Sequence, residues 1–303
     1  MSKISHGQII SILAGLVILV GCSQQEDAVY KAEVDAWHAE RIERLRSETG
    51  WLTLVGLHPL GQGVNILGSG PDSDVMLAAV APATLGTLTL TGGQADLRPA
   101  AGIQLVSFVE GAEAGEFGGG AVKTDGQGAP DQIAVGSLVF YVIQRGEKYF
   151  LRVKDRQAPV LQNFQGVERY PVKKFWRVTA RLEGEPGTVR MANVLGQVAA
   201  EPTPGVLVFE WDGVTHRLQP TGEPGAGMFV VFGDATNGHG SYPGGRFLTT
   251  DPPNENGEVV LDFNRAYNPP CVFSEYATCP LPGINNMLLV PITAGEKTWG
   301  TGH

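Results

Sequence analysis

Residues 138–153 read LVFYVIQRGEKYFLRV, and this stretch decides the class of fold. Two runs of aliphatic, aromatic and β-branched residues, 138–143 and 149–153, flank a polar connection that contains Gly146. A short glycine-bearing connection between two such runs is typical of a β-hairpin. We therefore predict two antiparallel strands here and look for the same pattern on both sides.

Similar short segments, bounded by Gly, Pro, Asp or Asn, recur along most of the chain. They cover residues 51–55, 87–90, 103–109, 175–182, 206–211 and 259–263. The 41 Gly and 20 Pro among 303 residues favour many short strands over long helices. The sequence has neither a βαβ rhythm nor a Gly-rich phosphate loop after a strand, which argues against a doubly wound nucleotide-binding fold. We predict a mainly β protein with two β-rich lobes, residues 51–165 and 166–303.

The composition limits the classes of partner. A chain that is 43% hydrophobic and 17% charged is expected to be globular rather than disordered. Its formal net charge of -9 argues against nucleic acid as a partner, because phosphate binding needs a basic surface.

One amphipathic helix is predicted before the first strand, over residues 26–49. Its apolar face is formed by Tyr30, Val34, Trp37 and Leu45. Gly50 is a suitable C-terminal stop. We expect this helix to pack against the β-rich body.

Residues 1–22, MSKISHGQIISILAGLVILVGC, have the layout of a secretory signal. Lys3 precedes an apolar run over residues 9–20, which is too short to span a hydrocarbon core of about 30 Å. The final Leu-Val-Gly-Cys resembles the lipobox of bacterial lipoproteins. We therefore predict a signal peptide over residues 1–21, lipidation of Cys22, and a lipid-anchored linker and helix over residues 22–50.

The predicted location follows from this segment. Lipid on Cys22 makes the membrane a partner and places the protein in the cell envelope. Ser23 follows Cys22, where an Asp is the usual signal for retention in the inner membrane. If the source is Gram-negative, the outer membrane, facing the periplasm, is favoured.

Part of the first lobe resembles the opening of a forkhead-associated β-sandwich. The resemblance rests on residues 61–68, GQGVNILG, and 72–77, DSDVML. Ser69 stands where such domains carry an Arg, and the later Ser-x-x-His is missing nearby. The resemblance therefore implies a β-sandwich-like scaffold and does not imply phosphothreonine binding.

The last part of the chain resembles a known family. Residues 261–271, LDFNRAYNPPC, and 276–282, YATCPLP, are similar to the C-terminal signature of domain of unknown function 1684, and residues 51–58, WLTLVGLH, extend the match. Asn285 and Met287 depart from the usual pattern. The resemblance implies no activity, because the family has no established biochemistry.

Polar residues gather around this signature and could form a small-molecule site. The ligand-binding candidates are Arg246, Asp262, Asn264, Asn268, Asn286 and, from the opening segment, His58. Arginine and amide side chains among aromatic walls are the usual form of a ligand pocket. The same residues could instead satisfy the backbone of a long ordered loop, with Asp262 and Arg246 as a structural pair.

Cys271 and Cys279 are the thiols that remain after lipidation of Cys22. Outside the cytoplasm a disulfide is the expected state. A nucleophilic thiolate at Cys271 and a metal pair are the alternatives, although the spacing lacks the C-x-x-C geometry of structural zinc sites. We predict no metal and no cofactor.

Three functional classes stay open. The preferred one is an envelope lipoprotein that binds a small ligand or partner through its C-terminal lobe. The second is a hydrolase-type enzyme that uses Cys271 or a carboxylate such as Asp262 or Glu296. The third is a structural envelope protein without a ligand. The sequence predicts neither the catalytic residues nor the oligomeric state.

Overall fold

A computed structural model describes the backbone of residues 7–108 and 115–300, and the side chains of residues 25–108 and 115–300. The protein is mainly β with a long N-terminal helix, which confirms the predicted class. Among the described residues, no helix combines the length and the apolar character needed to cross a membrane. The predictions that rest on the side chains of residues 1–24, including lipidation of Cys22, lie outside the described side chains.

Helix α1 (Gly7–Arg46) includes residues 26–46 of the predicted helix and ends three residues before the predicted end at residue 49. The chain then turns and passes close to the last helical turn at Gly50. A Cβ atom on Gly50 would lie 2.3 Å from the carbonyl oxygen of Leu45, so this approach requires a residue without a side chain.

The N-terminal β region consists of the strands that follow α1. They are β1 (Leu54–Leu60), β2 (Gly63–Gly68), β3 (Val75–Met76), β4 (Gly86–Thr91), β5 (Gln94–Pro99), β6 (Leu105–Phe108), β7 (Gly115–Phe117), β8 (Gly120–Val122), β9 (Gln132–Val135), β10 (Leu138–Arg145) and β11 (Lys148–Asp155). One sheet has the order β1-β11-β10-β9-β6-β7 and the other β3-β2-β4-β5-β8. Side chains from both sheets, such as Leu88 and Phe140, share one hydrophobic core, as in a β-sandwich.

The predicted hairpin is formed by β10 and β11 and is tighter than its sequence indicates. Arg145 pairs with Lys148, which leaves Gly146 and Glu147 as a two-residue turn. Gly146 has a φ of +60°, in the left-handed region that such turns require.

The C-terminal β region contains the remaining strands. They are β12 (Arg177–Glu183), β13 (Gly187–Ala192), β14 (Val198–Thr203), β15 (Val206–Trp211), β16 (Val214–Leu218), β17 (Phe229–Phe232), β18 (Arg246–Thr249) and β19 (Glu258–Asp262). One sheet has the order β16-β15-β12-β19, and the hairpins β13-β14 and β17-β18 form separate small sheets. A second core, which includes Trp176, Phe232 and Leu261, lies within this region.

Short helical segments occupy several connections. They are α2 (Pro159–Gln162) and the 3-10 turns Trp51–Thr53, Asp125–Gln127, Lys174–Trp176, Phe263–Arg265, Pro270–Val272 and Ile284–Asn286. The first predicted strand, over residues 51–55, thus begins as a 3-10 turn and becomes a strand at Leu54.

The two β regions meet at a small apolar cluster. Leu54 of β1 packs there with Val231, Phe247, Ala277 and Cys279. This junction places one face of β11 against the loop that carries the two cysteines. The predicted division near residue 165 stays a prediction.

Candidate ligand site

Arg246 is completely enclosed by protein, with 0% of its surface exposed. Its Nη2 atom donates to Asp234 Oδ2 at 2.8 Å and to the carbonyl oxygen of Ile292 at 2.9 Å. Its Nη1 atom donates to the carbonyl oxygen of Ala294. These contacts join β18 to the C-terminal segment, so Arg246 supports the fold and its ion-pair partner is Asp234 rather than Asp262.

Asn286 bridges two chain segments through its side-chain amide. Its Nδ2 atom donates to the carbonyl oxygens of Gln219 at 2.9 Å and Val231 at 2.8 Å. Its Oδ1 atom accepts from the backbone N–H of Gln219 at 2.7 Å. Both ends of the amide are therefore occupied by backbone groups.

Asp262 and Asn264 hold the N-terminal helix through Tyr30. The Tyr30 hydroxyl donates to Asp262 Oδ1 at 2.7 Å and accepts from Asn264 Nδ2 at 2.8 Å. Burial, together with the Asp262 carboxylate, raises the pKa of Tyr30 well above its usual value, so the phenol remains a donor. Asn264 also bonds both backbone groups of Lys173, at 2.9 and 3.0 Å.

Asn268 and Glu296 hold the same helix through Arg41. Arg41 Nε donates to Glu296 Oε1 at 2.8 Å, and the backbone N–H of Asn268 donates to Glu296 Oε2 at 2.7 Å. Arg41 Nη2 donates to the carbonyl oxygen of Asn268 at 3.0 Å, and the guanidinium lies 4.5 Å from the centre of the Tyr267 ring. All of these partners belong to the chain itself.

His58 lies on the side of the sheet away from the signature loop. It stands opposite Leu151 of β11, whose side chain enters the N-terminal core. Directly opposite residues of antiparallel strands share a face, so His58 points away from the neighbouring Arg152. Burial lowers the pKa of His58. The predicted polar candidates therefore form separate contacts and do not line one pocket.

Cys271 and Cys279 form a disulfide with their Cα atoms 6.1 Å apart. Within this loop, Ser274 Oγ donates to the carbonyl oxygen of Leu54 at 2.9 Å, which attaches the loop to the N-terminal β region. With both sulfurs in the bond, Cys271 offers no thiolate in this state.

The disulfide loop closes a cavity of about 180 Å³ between the two β regions. Trp51, Arg145 and Arg152 line it from the N-terminal side. The C-terminal side is formed by Phe247, Pro270, Ala277, Thr278, Cys279 and Pro280. We call this the inter-region cavity.

Arg152 makes the inter-region cavity cationic. It is only 4% exposed, and its guanidinium lies 5.5 Å from the centre of the Trp51 ring. Nη2 donates to Thr278 Oγ1 at 3.0 Å. Among residues 25–108 and 115–300, the buried Nε has no hydrogen-bond partner. Within the described residues, no carboxylate pairs with Arg152. A buried cation without an anionic partner costs several kcal/mol, and a bound anion would offset that cost.

Arg145 adds a second guanidinium at the edge of the cavity. Its Nη1 pairs with Asp125 at 2.6 Å, and its Nε donates to Thr278 Oγ1 at 3.1 Å. The Thr278 hydroxyl therefore accepts from both arginines. Two guanidinium groups and one carboxylate leave the site with an excess of positive charge.

Another cavity, of about 460 Å³, lies beside residues 25–33 of α1. Its lining includes Glu26, Tyr30, Lys174 and Arg177. Lys174 pairs there with Glu26 at 3.3 Å, so charge is compensated across the cavity. Within the described side chains, no group of three His, Cys, Asp or Glu residues is placed to share a metal ion.

Sequence reasoning missed Arg145 and Arg152. The only signal was the alternation of Leu151, Arg152, Val153 and Lys154 in β11, which marks a strand with one apolar and one charged face. That pattern normally places the charged face in water. Here the disulfide loop lies against Arg152 on that face.

The fold and the inter-region cavity define a mainly β protein with a cationic pocket between two packed regions. Residues 162–297 match the sequence profile of the family "Protein of unknown function (DUF1684)". This match includes Thr278 and both cysteines, whereas Arg145 and Arg152 precede it.

A solved structure also resembles part of the chain. It is the solution NMR structure of an uncharacterized protein of Haloarcula marismortui, with 30% sequence identity, and the alignment covers 45% of this chain and 78% of that chain with a TM-score of 0.38. No curated protein matches the sequence.

Proposed function

We propose that this protein binds a small anionic ligand in the inter-region cavity. The observation that carries the proposal is the burial of Arg152 without a carboxylate partner. In the part of the chain that the structure describes, its buried Nε has no acceptor, so a hydrogen bond remains to be made. The planar guanidinium matches the oxygen atoms of a carboxylate or phosphate.

The walls of the cavity support a small ligand rather than a simple ion. Trp51 and Phe247 supply apolar surface, and the Thr278 hydroxyl supplies a polar contact beside Arg152. A few polar groups among apolar walls are typical of small-molecule sites.

We further propose that the protein acts as a lipid-anchored protein of the cell envelope, in the outer membrane if the source is Gram-negative. The support is the lipobox-like Leu-Val-Gly-Cys that ends at Cys22 and the Ser23 that follows. More than one acyl chain on Cys22 would make the attachment durable. Metabolic labelling with an acyl-chain probe should mark the wild type and not Cys22→Ser. Labelling of both, or of neither, would reject the anchor.

Titration calorimetry with acetate and inorganic phosphate at low ionic strength tests the proposed anion site at Arg152. We expect Arg152→Gln to weaken binding by about 10- to 100-fold, the loss of one hydrogen bond to a charged group. Arg98→Gln is the matched control, because Arg98 is an exposed arginine on β5 that pairs with Asp96 at 3.0 Å. Equal affinities for wild type and Arg152→Gln, with both folded by circular dichroism, would reject the proposal.

A further inference from the structure

A second cavity adjoins the inter-region cavity and continues it away from Arg152. It measures about 500 Å³ and shares Arg145, Thr278 and Pro280 with its neighbour. The two cavities therefore lie next to each other. We infer that a ligand bound at Arg152 extends past these shared residues, along the β13-β14 hairpin.

The walls of this second cavity are largely apolar. Met191 and Ala199 stand opposite each other on the hairpin and share one face, and Phe229 lies across from them. We call the space between these residues the hairpin cavity. Its size is within the usual range for small-molecule sites.

The hairpin is attached to the disulfide loop by backbone hydrogen bonds. The N–H of Val194 donates to the carbonyl oxygen of Cys279 at 3.0 Å, and the N–H of Leu281 donates to that of Ala192 at 2.8 Å. Gln197 Nε2 donates to the carbonyl oxygen of Arg145 at 2.8 Å. The hairpin cavity is therefore formed by elements that the protein itself holds together.

The charged side chains differ between the two cavities. The cationic end lies at Arg145 and Arg152, whereas Glu201 of β14 lines the hairpin cavity. A carboxylate at that end disfavours a second anionic group there. The acid group of a ligand therefore belongs at Arg152 and its uncharged part in the hairpin cavity.

We propose that the ligand is an amphiphilic anion, with its acid group at Arg152 and an apolar chain in the hairpin cavity. This inference rests on the proposed anion site and adds the class of molecule that the site accepts. A free acid and a phosphate-headed lipid fragment share this chemistry.

The experiment is calorimetry with acetate, butanoate, hexanoate and octanoate below their micellar concentrations. Complete burial of a methylene contributes about 0.8 kcal/mol, so affinity should rise by up to about fourfold per methylene until the cavity is filled. Octyl phosphate compared with octanoate distinguishes a phosphate head from a carboxylate head. Octanol should bind at least 10-fold more weakly than either acid.

Two tryptophan substitutions on β14 provide the matched pair. Ala199 and Ala200 are both exposed neighbours, but they point to opposite faces of the hairpin, and only Ala199 lines the cavity. Ala199→Trp should remove the dependence on chain length while short acids still bind as in the wild type. Ala200→Trp should leave the whole series unchanged.

The outcomes separate this inference from the anion site itself. If all acids bind the wild type with one affinity, or Ala199→Trp keeps the dependence, the amphiphilic ligand is wrong and the anion site stands. If octanol binds with the same affinity as octanoate, the acid group is not recognised. If no acid of the series binds, or Arg152→Gln binds all of them as well as wild type, both proposals fail.

Discussion

Arg41 and Glu296, 255 residues apart in the chain, form a buried ion pair with Nε and Oε1 at 2.8 Å. Glu296 lies near the C-terminal end of the family match, and Arg41 lies on α1, C-terminal to the predicted lipid anchor. Together with the Tyr30–Asp262 hydrogen bond, this pair attaches the helix to the C-terminal β region. Signature residues that looked like ligand groups therefore serve, in large part, to dock the N-terminal helix.

Breaking this pair should destabilise the protein strongly. Arg41→Met leaves the Glu296 carboxylate buried without its cation, which costs about 3–5 kcal/mol of unfolding free energy. The double variant Arg41→Met/Glu296→Met should lose less unfolding free energy in urea than the sum of the losses in the two single variants. Arg44→Met is the control, because Arg44 pairs with Glu40 only at 3.8 Å on the exposed face of the helix. Its effect should stay below about 1 kcal/mol, and equal losses for Arg41 and Arg44 would contradict the docking role.

Arg246→Met should likewise reduce stability rather than remove a ligand contact. The substitution leaves the fully buried Asp234 side chain without its ion-pair partner. It also removes the hydrogen bonds that Arg246 donates to the carbonyl oxygens of Ile292 and Ala294. We expect a loss of about 3–5 kcal/mol by chemical unfolding. Arg246→Lys keeps the charge without the planar fork and should lose less.

The folded fraction of each variant serves as the control for its binding measurement. A stable Arg246→Met protein that no longer binds anions would place Arg246 in the ligand site instead.

The burial of His58 predicts a specific dependence of stability on pH. Because burial lowers the pKa of His58 in the folded state, the unfolded state binds its proton more readily. The stability contributed by neutral His58 is present above the ordinary pKa of 6.5 and is lost as the pH falls below it.

Urea unfolding at pH 7.5 and pH 5.5 checks this prediction. On acidification, His58→Gln should lose less unfolding free energy than the wild type. His239 is exposed, so His239→Gln should lose as much as the wild type. Parallel pH profiles for all three proteins would contradict it.

The Cys271–Cys279 disulfide should stabilise both the fold and the anion site. It closes a short loop, and its removal in Cys271→Ser/Cys279→Ser should cost about 2–3 kcal/mol. Thr278 lies within that loop and contacts Arg145 and Arg152, so anion affinity should fall as well.

Scanning calorimetry measures the loss of stability, and titration calorimetry measures the loss of anion affinity. Each is carried out with and without a reductant. Reductant should act on the wild type and have no further effect on the double variant. Unchanged affinity in the reduced wild type would show that the loop keeps its place without the bond.

Much of the architecture could be predicted because its signals are local. Alternating and β-branched segments marked β10, β11, β12, β15 and β19 to within a few residues, and apolar spacing marked the helix. The end of that helix was predicted three residues late, since residues 47–49 form a turn that apolar spacing does not define.

The candidate site could not be assembled in the same way. Asp262 and Arg246 were considered as a structural pair, but Asp262 bonds to Tyr30 and Arg246 to Asp234. Each bond depends on which surfaces pack together, and residue type does not encode that. The face that His58 occupies follows from the register of β1 with β11, which residue type does not encode either.

The sequence alone determined the mainly β class, the N-terminal helix, the family signature and the position of the two cysteines. These follow from periodicity, turn residues and motif, all properties of neighbouring residues. Only the tertiary structure decided that the charged face of β11 is covered, which turns Arg152 from an expected surface residue into a buried cation. The physical reason is that burial depends on contacts between segments more than a hundred residues apart, such as Arg152 and Thr278.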